Sequence, residues 1–119
     1  MFNFKNLFVL DLANNHQGLL SHGLKVINEH SKVIKNHKVA GAIKFQFRQL
    51  KSFIHPDHKV QTDQKHLIRF RSTELDLVSY KKLFDKVKIN GLFTMCTPFD
   101  EESVEHIISF KFDIIKVAS

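Results

Sequence analysis

A fourfold alternation of short apolar runs and amphipathic segments is the strongest constraint on how this chain folds. LFVLDLA (7–13), VAGAIKFQFR (39–48), LFTMC (92–96) and FDIIKVAS (112–119) each read as a strand. NNHQG (14–18) is a turn after the first strand. Leu20, Leu24, Ile27 and Ile34, with Val26 and Val33 beside them, then follow helical spacing, and the helix should stop near His37–Lys38. Asp76 is placed to cap a second helix carrying Leu77, Tyr80, Phe84 and Val87 on one face, and Asn90-Gly91 closes it, Gly91 suiting the left-handed C-terminal position. Asp100 opens a third helix, with acids in its first turn and Val104, Ile107 and Ile108 on one face. Strands that alternate with helices imply a parallel sheet with right-handed crossovers. No GxGxxG follows the first strand and no GxxxxGK[ST] is present, so the dinucleotide and P-loop fingerprints are both missing.

Residues 49–75 break the pattern. They contain Pro56, show little periodicity and, at roughly 27 residues, are long for a plain connection, which predicts a working loop with a short helix near Lys65–Arg71. His55 and His58 in HPDH suggest a metal pair, but no second ligand pair stands at a recognised spacing, and they read as exposed loop histidines.

The chain of 119 residues has room for one domain, 1–119, with a modest core. No stretch approaches the ~20 apolar residues that span a bilayer, and the first residues read as a strand rather than a signal peptide. The single cysteine, Cys96, excludes an internal disulfide and fits a reducing cytosol, so a cytoplasmic location is expected. The net charge of +6 comes from fifteen Lys and three Arg spread along the chain. That dispersal, in a Lys-, Asn- and Phe/Ile-rich composition of the kind an AT-rich genome produces, speaks against nucleic-acid binding.

The informative residues are two lysines inside apolar strands. In AIKFQFR (42–48), Ile43, Phe45 and Phe47 take one face and Lys44, Gln46 and Arg48 the other. A sheet covered on both sides would bury that second face in hydrocarbon. In a (β/α) barrel, by contrast, the outer face packs on helices and the inner face opens, at the C-terminal strand ends, onto the active site. Lys44 and Gln46 then point into the barrel mouth, as do Lys116 from the fourth strand and Asp11 from the first. Two unpaired ammonium groups facing one cavity imply an anion between them, a phosphate or a carboxylate, with Thr97 and Ser119 as hydroxyl donors. The alternative is that the lysines snorkel or pair with Asp11 as structure only.

LDLANNHQG, AIKFQFR, FTMCTPFDEESVE and DIIKVAS together resemble four ordered blocks of the N-acetylneuraminate (sialic acid) synthase family, spanning residues 9–119. The family shows E-I-G-x-N-H-x-G after strand one, K-x-Q in strand two, [ST]-T-P-F after strand three and K-[IV]-[AG]-S closing strand four. The resemblance implies a TIM-type barrel that condenses phosphoenolpyruvate with an amino sugar such as N-acetylmannosamine, giving a nonulosonic acid and phosphate. A divalent metal, Mn²⁺ or Mg²⁺, is implied for the full-length family. Position by position, Lys44 and Lys116 would hold the phosphate and carboxylate of phosphoenolpyruvate. Gln46, Thr97 and Ser119 would donate to it, Asn15 and His16 would line the mouth, and Asp11 would orient or deprotonate the attacking water. For His16, turn geometry is an equal reading. Asp11 stands where the family has the longer Glu, and Q-F-R stands where many members have Q-T, so Arg48 either adds an anion contact or marks a subfamily.

Eight strands need about 200–250 residues, and four are present. The expectation is therefore an α/β half-barrel, truncated, with the family's histidine metal ligands absent from this chain and no activity on its own. Its partner would be the missing barrel half or a second copy. Octulosonate- and heptulosonate-type synthases, and a non-catalytic assembly partner or remnant, are the competing readings.

Overall fold

The computed structural model describes residues 1–49 and 65–119. His55 and His58 and most of the 49–75 segment lie outside the described residues. The strands are β1 (Leu7–Ala13), β2 (Ala40–Phe47), β3 (Phe93–Pro98) and β4 (Ile114–Ile115). The described helices are α1 (Leu20–His37), α2 (Lys65–Ser72), α3 (Leu77–Ile89) and α4 (Glu101–Phe110). The strands form one sheet in the order β1-β2-β3-β4 with every neighbouring pair parallel, as a chain that crosses over through a helix after each strand must arrange them. This α/β architecture is that of the first half of a (β/α) barrel.

Alternation along β2 decides which face is the core. Ile43 and Phe45 are completely buried and Phe47 nearly so, against Ile27 and Ile34 of α1, Leu83 and Val87 of α3 and Ile107 of α4. Phe45, Phe47, Phe84 and Phe112 add edge-to-face ring contacts, with centroids 4.9–5.6 Å apart. Each buried ring removes enough apolar surface from water to stabilise the fold by about 1.5–3 kcal/mol. α1 comes so close to the sheet because β2 offers Gly41 at the contact. A Cβ there would lie 2.5 Å from Ile34 Cδ1.

The helix caps follow the sequence. Asp76 accepts a hydrogen bond from the Ser79 N–H and Asp100 from the Ser103 N–H, each at 2.7 Å. Gly91 takes the left-handed conformation (φ 75°) after Asn90. α1 and α4 end differently, on Lys38 and Lys111 held left-handed at φ 52° and 62°.

Two expectations need correction. The fourth strand is paired at Ile114–Ile115, not over 112–119, and among the described residues β3 is its one neighbour. Of the three apolar residues expected on one face of α4, only Ile107 is buried. Ile108 is 63% exposed, because the stripe predicted for the helix is wider than the strip of sheet beneath it. The outer strand edges are likewise bare, with Phe8 and Val9 of β1 and Val117 beyond β4 exposed.

Candidate functional site

In a parallel sheet, paired residues on neighbouring strands share a face, and so do residues two apart on one strand. Asp11 pairs with Lys44, Lys44 with Met95, and Gln46 with Thr97. Met95 pairs with Ile114 and Cys96 with Ile115, and the Lys116 N–H donates to the Cys96 carbonyl at 2.9 Å, so the next step sets Lys116 beside Thr97. Asp11, Lys44, Gln46, Thr97 and Lys116 therefore occupy one face, opposite the core, toward the C-terminal ends of the strands. Lys44 and Lys116 are two strands apart and offset by two residues along the strand, roughly 12 Å at the backbone, a gap that two four-carbon stems can span.

Both lysines on this face already have partners. Lys44 Nζ lies 2.9 Å from Asp11 Oδ1; the Lys44 side chain is only 17% exposed and that of Asp11 55%. The Lys116 ammonium donates to the Val117 carbonyl at 3.1 Å. Thr97 is buried, and Ser119 is exposed at the end of the described chain. Asn15, at the rim, points its amide back to the Asp11 carbonyl at 3.4 Å.

His16 is the exception among the predicted residues. It is fully buried behind the β1–α1 turn, its Nδ1 accepting from the Gly18 N–H at 3.0 Å and its ring edge-on to Tyr80 at 5.8 Å. Burial, with His22 nearby, lowers its pKa to about 4, so the imidazole is neutral and the proton sits on Nε2. Nδ1 is committed to the turn, while the buried Nε2 has no hydrogen-bond partner among the described residues. Gly18 itself sits at φ 74° against the Ser72 carbonyl, where a side chain would collide at 2.9 Å.

A cleft of about 540 Å³ opens at the end of β2, lined by Asn14, Gln46, Arg48, Glu74, Tyr80 and His106 among others. Of the predicted site residues it takes in only Gln46. The sheet face is the better candidate centre, because Asp11, Lys44, Gln46, Thr97 and Lys116 share it and a barrel fold directs strand-end side chains to it. Three contacts at the cleft were not foreseen. Arg48 Nη2 donates to Gln46 Oε1 at 2.8 Å, the Tyr80 hydroxyl to the Gln46 carbonyl at 3.3 Å, and Arg69 Nη2 to Asn14 Oδ1 at 3.1 Å. Tyr80 reads in sequence as one more apolar helix position, and nothing in its spacing marks the hydroxyl contact.

Among the described residues, no three His, Cys, Asp or Glu side chains come together as a metal-holding group. Those residues do not by themselves fit the divalent ion that the family implies, and no chemical step is derived through one.

A parallel half-barrel with a polar face at its C-terminal strand ends belongs to the class of (β/α)-barrel proteins that place their chemistry at that end. The profile of the NeuB family matches residues 19–119, and the chain belongs to that family. A comparison with curated proteins gives no match. Among solved structures, one described as spore coat polysaccharide biosynthesis protein E of Chromobacterium violaceum superposes with a TM-score of 0.91 at 39% identity, over 97% of this chain and 34% of that one. The N-acetylneuraminic acid synthetase of Leptospira borgpetersenii, crystallised with citrate, gives 0.70 at 19% identity, over 94% and 35%. The spore coat polysaccharide biosynthesis protein spsE of Bacillus subtilis gives 0.66 at 22% identity, over 99% and 33%. The chain thus spans about a third of the length of each.

Proposed function

We propose that this chain forms the phosphoenolpyruvate-binding part of a sugar-acid synthase, one that condenses phosphoenolpyruvate with N-acetylmannosamine or a related aldose. C3 of phosphoenolpyruvate bonds to the aldehyde carbon, water adds at C2, and the C2–O bond to phosphorus breaks, releasing phosphate and a nonulosonic acid. Family membership supports the reaction class. The observation that carries the site is the shared face of Lys44, Gln46, Thr97 and Lys116, set by the strand register.

The two ammonium groups would neutralise the phosphate and carboxylate, and Gln46, Thr97 and Ser119 would donate to their oxygens. Asp11 would orient the water that adds at C2. Asn15 holds the backbone at Asp11 and so shapes the rim. The bare strand edges would be covered by a second set of strands, from a complementary barrel half or a second copy, in a cytoplasmic enzyme.

The test is a titration of the ¹⁵N-labelled chain with phosphoenolpyruvate. The expected result is saturable shifts of the backbone amides at 44–47, 96–98 and 116–119, weakened by Lys44→Met or Lys116→Met and abolished in the double variant. Equal binding by the double variant would overturn the proposal.

A further inference from the structure

We propose that Arg48 is a positioning residue that turns the Gln46 side chain so that its NH₂ group, not its oxygen, faces the ligand. This rests on the phosphoenolpyruvate reading and adds a specificity element to it.

A guanidinium carries five N–H donors and no acceptor. Arg48 Nη2 lies 2.8 Å from the Gln46 amide, so the atom facing it must be the amide oxygen, whichever way the amide would otherwise be assigned. With Oε1 held by Arg48, both hydrogens of the donor Nε2 remain for a ligand. A site lined by that donor accepts a ligand oxygen carrying a lone pair, as on a carboxylate or phosphate, and disfavours a hydroxyl hydrogen or an ammonium at the same point.

The guanidinium is itself held. Its central carbon lies 4.3 Å from the centroid of the Phe70 ring, on α2, and 4.5 Å from that of Phe99, in the turn after β3. The Phe99 N–H donates to the Phe47 carbonyl at 3.0 Å, locking that turn to the end of β2. The Gln49 N–H donates to Asp100 Oδ2 at 2.6 Å, and Asp100 also caps α4. Arg48 is thus held by rings from α2 and from the turn after β3, and that turn is itself tied to the end of β2. A lysine would place a point charge there without the planar stacking or the fork of donors.

Arg48→Met keeps an unbranched side chain between the rings and removes the donors; Arg48→Lys is the second variant, in case the first disturbs packing. Two measurements are made on the full chain. The first is the position of the Gln46 side-chain NH₂ resonance without ligand, which should move in Arg48→Met and stay closer to wild type in Arg48→Lys. A purely structural role for the stacked arginine would not select that resonance. The second is phosphoenolpyruvate affinity, expected to fall about tenfold in Arg48→Met, with no further loss when Arg48→Met is added to Gln46→Ala.

Wild-type binding with an unchanged affinity in Arg48→Met would overturn the inference and leave the phosphoenolpyruvate site standing. A wild-type chain that does not bind phosphoenolpyruvate would overturn the proposed function. In that event the unliganded Gln46 resonance decides the positioning role by itself, and an unmoved resonance refutes it.

Discussion

Asp11→Asn separates two roles that the same carboxylate would play. In the free chain Asp11 is bonded to Lys44 at 2.9 Å and competes with any incoming anion for that ammonium group. Removing its charge while keeping its shape should therefore strengthen phosphoenolpyruvate binding. The size of the effect follows from exposure. The Asp11 side chain is 55% exposed, so the pair falls in the solvent-screened range of about 0.5–1 kcal/mol, or about two- to fivefold in Kd. Calorimetric titration of the wild type and Asp11→Asn reads this directly. Raising the salt should shrink the difference, because the lost interaction is screened. Turnover by an assembled synthase should fall in the same variant, since the group proposed to orient water would be gone. Equal or weaker binding by Asp11→Asn would refute the reasoning and leave the Asp11–Lys44 pair as a structural contact alone.

Three further predictions concern the scaffold. Gly41→Ala should destabilise the chain by about 1–3 kcal/mol in urea unfolding, because the new methyl would meet Ile34 Cδ1 at 2.5 Å; adding Ile34→Val, which deletes that atom, should recover part of the loss. Because the pKa of His16 falls to about 4 in the folded chain, the unfolded chain takes up its proton first as pH drops. Stability should then decline from about pH 6.5 to about pH 4, by a few kcal/mol at most (~3 kcal/mol), and His16→Asn should flatten that decline in pH-dependent urea unfolding. Burial raises the Cys96 thiol well above the ordinary range, so its reaction with a thiol reagent should be slow in the folded chain and fast in urea.

Much of the architecture was legible because it rests on local chemistry. The β1 boundaries, the Asp76 and Asp100 caps, the turn at Gly91 and the buried Ile43-Phe45-Phe47 face all follow from period, capping and conformational preference. Features that depend on residues far apart in sequence were not. Ser31 is buried in α1, where its hydroxyl accepts from the Asn90 amide at 3.0 Å, a contact that helical spacing does not reveal. Asp113 reads as part of a strand, yet it accepts from the Thr94 N–H at 2.8 Å and from Lys88 at 3.0 Å, tying β3 and α3 to the start of β4. Burial opposes its ionisation, but those hydrogen bonds outweigh it and lower its pKa. Alternation along β2 sets Lys44 and Gln46 on one face, as the sequence implies. The burial of His16 and the ring contacts of Arg48 depend on α2, α3 and the turn after β3, which no window around either residue contains.

The most direct test of the central claim is a crystal structure of the chain with phosphoenolpyruvate bound. The account predicts ligand oxygens within hydrogen-bonding distance of both Lys44 Nζ and Lys116 Nζ, with the Lys116 bond to the Val117 carbonyl released. Ligand density on the helix side of the sheet, or in the cleft by Glu74 and His106 with both lysines untouched, would contradict it.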